Sequence, residues 1–219
     1  MGVFTFVFTW VLERSSPGDL PYPLFAFAGI LPWQFFAAAL QGSTQSLVAN
    51  TNMVAKVYFP RLIIPAAACV AGAIDLGINL LVFAGLLAWY GVVPGVRILL
   101  LPVFILLAAV VALGLGLIFA TLNVRYRDAG HLVPFLIQVG LFASPVAYAT
   151  SRVPEAWRAV YALNPLVSVI EGFRWAVLPQ GTASFDPAAF GISSAVAAGI
   201  FVAGTVYFTR REGTFADYI

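Results

Sequence analysis

Residues 98–123 read ILLLPVFILLAAVVALGLGLIFATLN, 26 positions without one charged side chain. A helix needs about 20 apolar residues to cross the hydrocarbon of a bilayer. Lipid offers no water to an open backbone, so each spanning segment must close its hydrogen bonds internally. This stretch therefore reads as a spanning helix. It lacks the period-two alternation over ten-residue units that marks a membrane barrel. Working outward, the same pattern recurs at 62–89, broken only by Asp75, at 132–148 and at 187–209. A further helix lies within 24–48, although Pro21, Pro23 and Pro32 interrupt the early part of that tract. Met1–Leu12 is uncharged too, but 12 residues are too short to cross alone, and no positive leader or small-residue cleavage site marks it as a signal peptide. Over all 219 residues, 62% are hydrophobic and 9% charged, with a mean hydropathy of +0.97. A soluble domain carries about 25% charged residues. The chain reads as an all-α integral membrane protein, multi-pass, with no room for a second, soluble domain.

Residues 152–186 have a different character. Their apolar core carries Asn164-Pro165, Glu171 and Arg174, too short and too polar to span, so it reads as one or two short helices dipping into the outer side of the membrane. Glu171 and Arg174 stand three apart, on one helical face, and are placed to pair. Alternating the spans puts Lys56, Arg61, Arg125, Arg127, Arg210 and Arg211 on one side, and Arg14, Arg97, Arg152, Arg158 and Arg174 on the other. Six against five leans toward a cytoplasmic Lys56 and Arg125.

The chemistry excluded is as informative. A phosphate-binding P-loop needs a lysine after a glycine and before Ser or Thr, and the single lysine, Lys56, lies between Ala55 and Val57. One histidine, His131, and one cysteine, Cys69, make neither a zinc site nor a Cys/His pair, and no disulfide forms within the chain. Ser144 lacks a G-x-S-x-G setting and reads as a kink residue beside Pro145. No catalytic and no metal-binding residue is expected. The net charge of +2 is too mild for nucleic acid.

Asp75 is the acid deep in a span, with Asn79 one turn later. An intramembrane carboxyl costs roughly 2.5–3.5 kcal/mol on insertion scales, so it is either helix–helix glue or part of a proton path. Small residues at packing spacing, Ala195, Gly199 and Ala203, or Gly114 with Gly116, read as close helix contacts. Trp10, Tyr22, Trp33, Trp89, Tyr90, Trp157 and Tyr161 fit interfacial belts. Phe142, Tyr148, Trp157 and Tyr161, with Phe173 and Trp175, lie where a path for a sugar chain would open, since a pyranose stacks its C–H face on an aromatic ring. The stretch NTNMVAKVYFPR (50–61) reads either as an ordinary positively charged loop or as a short helix that docks in a partner's groove, with Tyr58 and Phe59 as anchors.

Several strings then carry a resemblance: N-M-V-A-K-V-Y-F-P-R (52–61), L-N-V-R-Y-R-D (122–128), P-F-L-I-Q (134–138), S-P-V-A-Y (144–148), L-N-P-L (163–166), E-G-F-R-W (171–175) and the tail F-A-D-Y-I (215–219). In this order they resemble ABC-2 type permeases that export lipid-linked O-antigen, capsular polysaccharide or teichoic acid across the bacterial inner membrane. The resemblance covers essentially the whole chain. It implies a six-helix, type V exporter-like permease that works in the bilayer as a homodimer, each copy bound to a separate ATPase subunit. ATP and Mg would belong to that subunit, with no cofactor in this chain. The spans would be about 1–12 (partial), 24–48, 62–89, 98–122, 132–148 and 187–209, with re-entrant helices at 153–178 on the outer face and both ends cytoplasmic.

The resemblance also assigns roles. The coupling helix that meets the ATPase falls on 50–61, with Asn52, Lys56, Tyr58, Phe59, Pro60 and Arg61. Spans one and five line the path, recruiting Phe4–Trp10 and Leu132–Tyr148. Phe142, Tyr148, Trp157, Tyr161, Glu171 and Arg174 are the pathway candidates, and Arg125 with Arg127 would meet the diphosphate of the lipid-linked glycan at the inner face. Such permeases open with an amphipathic surface helix and a complete first span. On this reading residues 1–219 begin partway through that span, and alone they are expected not to support transport. Two alternatives stand beside it: an ABC-2 permease for drugs or small lipids, and a proton-coupled secondary transporter built on Asp75.

Overall fold

Prolines mark where several helices of the computed structural model begin. Proline has no amide proton to leave unpaired, and its fixed φ suits a first helical turn. The structure describes residues 21–56, 59–146, 148, 150, 161, 163–179, 182, 183 and 185–215. Pro23 lies in the first turn of α1 (Tyr22–Ala49), and Pro102 in that of α4 (Leu101–Arg125). Pro165 opens α6 (Pro165–Val177) and Pro187 opens α7 (Pro187–Arg211). Between them come the six-residue α2 (Thr51–Lys56), α3 (Ile63–Trp89) and α5 (Ala129–Ala143). A 3-10 turn, Val96–Leu100, leads into α4, and another, Glu212–Thr214, follows α7. Every element among the described residues is helical.

Among the described residues four helices are long and apolar enough to cross a membrane: α1, α3, α4 with its 3-10 lead, and α7. The prolines of 21–32 therefore do not break the second span; two sit at its start and Pro32 is absorbed inside it. The expected span 132–148 is shorter. The helix starts at Ala129 and stops at Ala143, because Ser144 takes extended backbone (φ −112°, ψ 150°) and Pro145 cannot continue the ladder. Its 15 residues rise about 22 Å, against about 30 Å of hydrocarbon. The expected partial span 1–12 and most of the first half of 153–178 lie outside the described residues.

The helices alternate in direction. One end of the bundle, the basic end, gathers α2, the start of α3, the close of α4 with Arg125, and the close of α7 with Arg210 and Arg211. The other, the far end, gathers the start of α1, the start of α4 and α6. Helix α1 is the axis: it packs against α3, α4, α5 and α6. Phe25 and Leu31 join Phe83, Phe104 and Phe173 at the far end. Trp33, Phe36 and Leu40 meet Leu76, Val111 and Val133 at mid-height. Leu47 meets Ile64, Leu117, Phe208 and Phe215 at the basic end.

In lipid, tails are as apolar as leucine, so helix contacts depend on close approach and shape. Glycine supplies that approach between α4 and α7, where a methyl on Gly114 would stand 2.8 Å from the Cα of Phe201 and one on Gly204 would overlap the Gly114 carbonyl. Gly116 does the same toward α1, with Ser43 Cβ 2.6 Å from its missing methyl. The stripe Ala195, Gly199 and Ala203 behaves otherwise: it lies on the exposed side of α7, and a methyl on Gly199 would meet nothing within 4 Å. The packed side is Ser193, Ala197, Gly204 and Phe208. Helix α3 closes on Gly91 (φ +67°), with Val92 N–H donating to Leu87 O at 2.9 Å and Gly91 N–H to Ala88 O at 3.1 Å, the double bond pattern of a left-handed glycine cap.

Candidate pathway cluster and coupling surface

The far-end cluster is assembled by α6. Its start is fixed by Asn164, whose Oδ1 accepts from Leu166 N–H at 3.1 Å while its Nδ2 donates to Ser144 Oγ at 3.1 Å. One side chain thus caps α6 and ties it to the break after α5. Two turns on, Gly172 lies against the Phe104 ring, where a methyl would overlap it. That contact brings Arg174 inward until it is 2% exposed.

The Arg174 guanidinium is satisfied by backbone. Nη1 donates to Pro145 O at 2.6 Å and Tyr148 O at 3.1 Å, Nη2 to Val146 O at 2.5 Å, and Nε to Phe25 O at 3.3 Å. Its Cζ also lies 3.8 Å from the centroid of the Phe25 ring. A buried cation must be paired or fully hydrogen-bonded, and here carbonyls of the irregular stretch 145–148 do the work. The expected Glu171–Arg174 pair takes a different form: the donors go to carbonyls, and the two charges act on each other through space. Burial pushes the Glu171 carboxyl up, and the Thr150 hydroxyl and then the Arg174 charge draw it part of the way back. Space for the guanidinium comes from Gly29 of α1, where a methyl would overlap Nη2 and stand 2.6 Å from Val146 O.

The pathway candidates converge here. Tyr148 OH donates to Phe142 O at 3.2 Å and is hydrogen-bonded to Tyr161 OH. Burial and that bond push the Tyr161 phenol up. Phe142 is 73% exposed at the close of α5. Five of the six residues, Phe142, Tyr148, Tyr161, Glu171 and Arg174, thus form one connected group; Trp157 lies outside the described residues. Alongside, Arg97 stacks on Trp175 at 4.5 Å, and Trp175 packs on Phe185 at 5.1 Å. Gly29 is the member that sequence reasoning missed. Nothing around F-A-G-I-L distinguishes it from any other glycine in a span.

At the basic end, Asn50 closes α1 with its Nδ2 donating to Ser46 O at 2.8 Å, and α2 begins at once. Asn52 is exposed, and so is Met53 at 49%, a residue absent from the sequence-based list. Lys56 is the last residue of α2; its side chain and Tyr58 lie outside the described residues. Phe59 is half-buried against Leu47 and Ile64, so it faces its own core, and Pro60 is exposed. Arg61 Nη1 donates to the Glu212 carbonyl, joining the start of α3 to the turn after α7. Asn123, buried, joins three helices: its Nδ2 donates to Thr44 O at 3.2 Å and its Oδ1 accepts from Gly130 N–H at 3.0 Å. Arg125 closes α4 and Arg127 follows it in the corner before α5, both exposed.

Asp75 stands midway along α3, exposed on the flank of the bundle. With Gln34 and Asn79 it lines a cleft of about 350 Å³ between α1 and α3. Among the described residues this cleft is separate from the Arg174 cluster.

Comparison with known proteins fits this architecture. The family model described as ABC-2 type transporter matches residues 1–178. The chain is 28% identical over 221 residues to the O-antigen export system permease protein RfbA of Myxococcus xanthus, covering 100% of this chain and 83% of that one. A protein of the same name from Klebsiella pneumoniae is 30% identical over 173 residues, covering 78% and 66%. The polysialic acid transport protein KpsM of Escherichia coli is 24% identical over 215 residues, covering 94% and 80%. A bundle whose elements among the described residues are all helical, four of them candidate spans, matched by this family over most of the chain's length, is a transport subunit of the bacterial inner membrane: the chain belongs to the ABC-2 type transporter family.

Proposed function

We propose that this chain is the permease of an exporter that carries a lipid-linked polysaccharide, of the O-antigen or capsular class, across the inner membrane. It works as a homodimer, and each copy is driven by a separate ATPase subunit that holds ATP and Mg. The observation that carries this reading is the match, over the whole chain, to a permease of an O-antigen export system, with a polysialic acid transport protein similar over 94% of it. On this reading the permease has six spans, of which about 1–12 would be part of the first, with re-entrant helices at 153–178 on the outer face. The basic end faces the cytoplasm, as positively charged ends do.

The geometry supports a lever. Helix α1 has 28 residues, about 42 Å, and runs from α2 to the Arg174 cluster. Asn52, Met53, Lys56 and Tyr58 meet the ATPase, while Phe59, Pro60 and Arg61 fasten that surface to α3 and the turn after α7. A push on α2 moves α1, and with it Phe25 and Gly29, against which the Arg174 guanidinium is lodged. Arg174 holds the carbonyls of 145–148, so the motion reaches Tyr148, Tyr161 and Phe142. Arg174 and Glu171 thus shape the pathway wall from behind, and the aromatics, with Trp157, touch the sugar chain. Many weak stacking contacts suit a sliding polymer, since tight binding at one place would stall it. Arg125 and Arg127 give the inner face positive charge where the diphosphate enters.

The test is deletion of the full-length gene in its host. Surface glycan disappears and lipid-linked glycan accumulates on the inner leaflet, and the full-length gene reverses both. Unchanged surface glycan in the deletion strain contradicts the proposal.

A further inference from the structure

Helix α1 is the most buried of the four candidate spans, and the little it leaves open is polar. Between Leu24 and Val48 only Gln34, Ala38, Gln41 and Gln45 are exposed. Steps of four, three and four residues keep them on one face of the helix. Three of the four carry a neutral amide, and among the described residues none of the three makes a hydrogen bond. Helices α3 and α5 stand to either side: a methyl on Gly72 would touch the Ala39 amide nitrogen at 3.6 Å, and one on Gly140 would stand 2.9 Å from the Trp33 ring. At 1.5 Å per residue, Gln45, Gln41 and Gln34 lie about 6, 12 and 22 Å from the last residue of α1. The row therefore runs from the basic end to the middle of the bilayer.

Were this face turned to lipid tails, each amide would lose its water and gain nothing, so polar residues of spanning helices face a neighbour or a watery cavity. A partner helix fits poorly. Helix seams in lipid are built of small residues that let backbones meet, whereas three long glutamines hold backbones apart. The outward faces of α3 and α7 are led by Ile, Val and Leu, such as Ile74, Ile78, Val202 and Val206, which would leave the amides unpaired. A cation calls for carboxylates and a phosphate for arginine or lysine; the row itself carries neither. An amide both donates and accepts, as the hydroxyls of a sugar do. At its deep end Gln34 opens on the cleft with α3, where Asn79 adds another amide beside Asp75.

We propose that Gln34, Gln41 and Gln45 form the inner half of the glycan path, a row of neutral amides that replace water on the sugar hydroxyls as the chain leaves the cytoplasmic side. The inference rests on the polysaccharide reading above and extends it to the half of the membrane that the aromatic cluster at the far end does not reach. Successive amides stand about 6 and 10 Å apart along the axis, so a sugar released by one is received by the next. Being uncharged, they hold no segment of the polymer tightly.

The test uses the full-length permease with its ATPase subunit, in a host whose own copy is deleted. Gln34→Leu with Gln41→Leu is expected to slow export, read as pulse-labelled surface glycan, about 20-fold, from roughly a fivefold contribution by each lost amide. The amount of permease in the membrane stays at the wild-type level. Gln34→Asn with Gln41→Asn keeps the amides and most of the rate. The proposal falls if the leucine variant exports as the wild type does, or if the asparagine variant loses as much. Should the leucine variant fail to accumulate, Gln41→Cys in a Cys69→Ala chain carries the test. In inside-out vesicles from cells that make no glycan, a water-soluble methanethiosulfonate reagent labels this thiol, and added lipid-linked glycan protects it. A thiol that stays unlabelled without glycan lies in a protein seam or faces lipid, and overturns the proposal, as does labelling that glycan does not slow. The two readings fail separately: a deletion strain that keeps its surface glycan removes the cargo, whereas leucine variants that export normally where the deletion does not remove only the row.

Discussion

Gly29→Ala adds a single methyl group, and the structure fixes the sign of its effect. In a helix interior that change ordinarily stabilises by about 1 kcal/mol, because glycine carries more backbone entropy into the fold. At Gly29 the methyl would overlap Arg174 Nη2 and stand 2.6 Å from Val146 O, so both must retreat, the carbonyl by about 0.8 Å to reach ordinary contact. The Nη2–Val146 bond of 2.5 Å does not survive such a shift. A hydrogen bond to a charged group contributes about 1.5–3 kcal/mol, so Gly29→Ala is expected to destabilise by about 0.5–2 kcal/mol net. Gly77→Ala on α3 is the matched control: the same change in a helix, with nothing within 4 Å of the new methyl. It should be neutral or stabilising by up to about 1 kcal/mol. Equilibrium unfolding of both variants in mixed micelles measures the difference, expected at about 1.5–3 kcal/mol. If Gly29→Ala is as stable as Gly77→Ala, the Arg174 lodgement is not what holds 145–148 in place.

Other substitutions separate the remaining roles. Tyr161→Phe removes the hydroxyl bonded to Tyr148 and should cost about 1 kcal/mol of stability while export, read as pulse-labelled surface glycan, stays near wild type; Tyr161→Ala should slow export markedly. If both variants export alike, the ring has no part in the pathway. Arg61→Met breaks the link to the Glu212 carbonyl and should cost about 1 kcal/mol, with faster proteolysis of the segment after α7; unchanged cleavage would show that the link does not hold the turn. Asp75→Asn should leave export and its pH profile as they are, because Asp75 faces the flank of the bundle and not the Arg174 cluster. A shifted pH profile would restore a proton path.

Element identity was legible from uncharged length alone, since a bilayer admits few solutions for a span, and α3 and α7 fall within two residues of their expected bounds. Helix α5 was misjudged at its end because hydropathy does not register that Ser144-Pro145 breaks the ladder, whereas a proline rule does. The prolines near α1 misled in the opposite direction: at a first turn they begin a helix. For the site, the short strings carried most of the information. In L-N-P-L, Asn164 and Pro165 turn out to be a cap and a helix start; in E-G-F-R-W, Gly172 is a close contact and Arg174 a buried clamp. Hidden from the sequence were the partners across the fold. That Arg174 would choose carbonyls over Glu171 depends on partners in a neighbouring break, 26 to 29 positions away, and on Phe25, 149 positions away, beside the Gly29 that makes room for it. Phe59 shows the same limit, as an aromatic in an exposed-looking loop that turns back to its own core.

The central claim is that this permease is moved from the cytoplasmic side by another subunit acting on α2. It is tested most directly by placing a thiol there: Asn52→Cys on the exposed face of α2, in a full-length chain whose buried cysteine is removed by Cys69→Ala. The account predicts that a membrane-impermeant maleimide leaves this thiol unlabelled in intact cells, labels it in inside-out vesicles, and is blocked there when the ATPase subunit is bound. Labelling from outside intact cells, or labelling indifferent to the ATPase subunit, would contradict it.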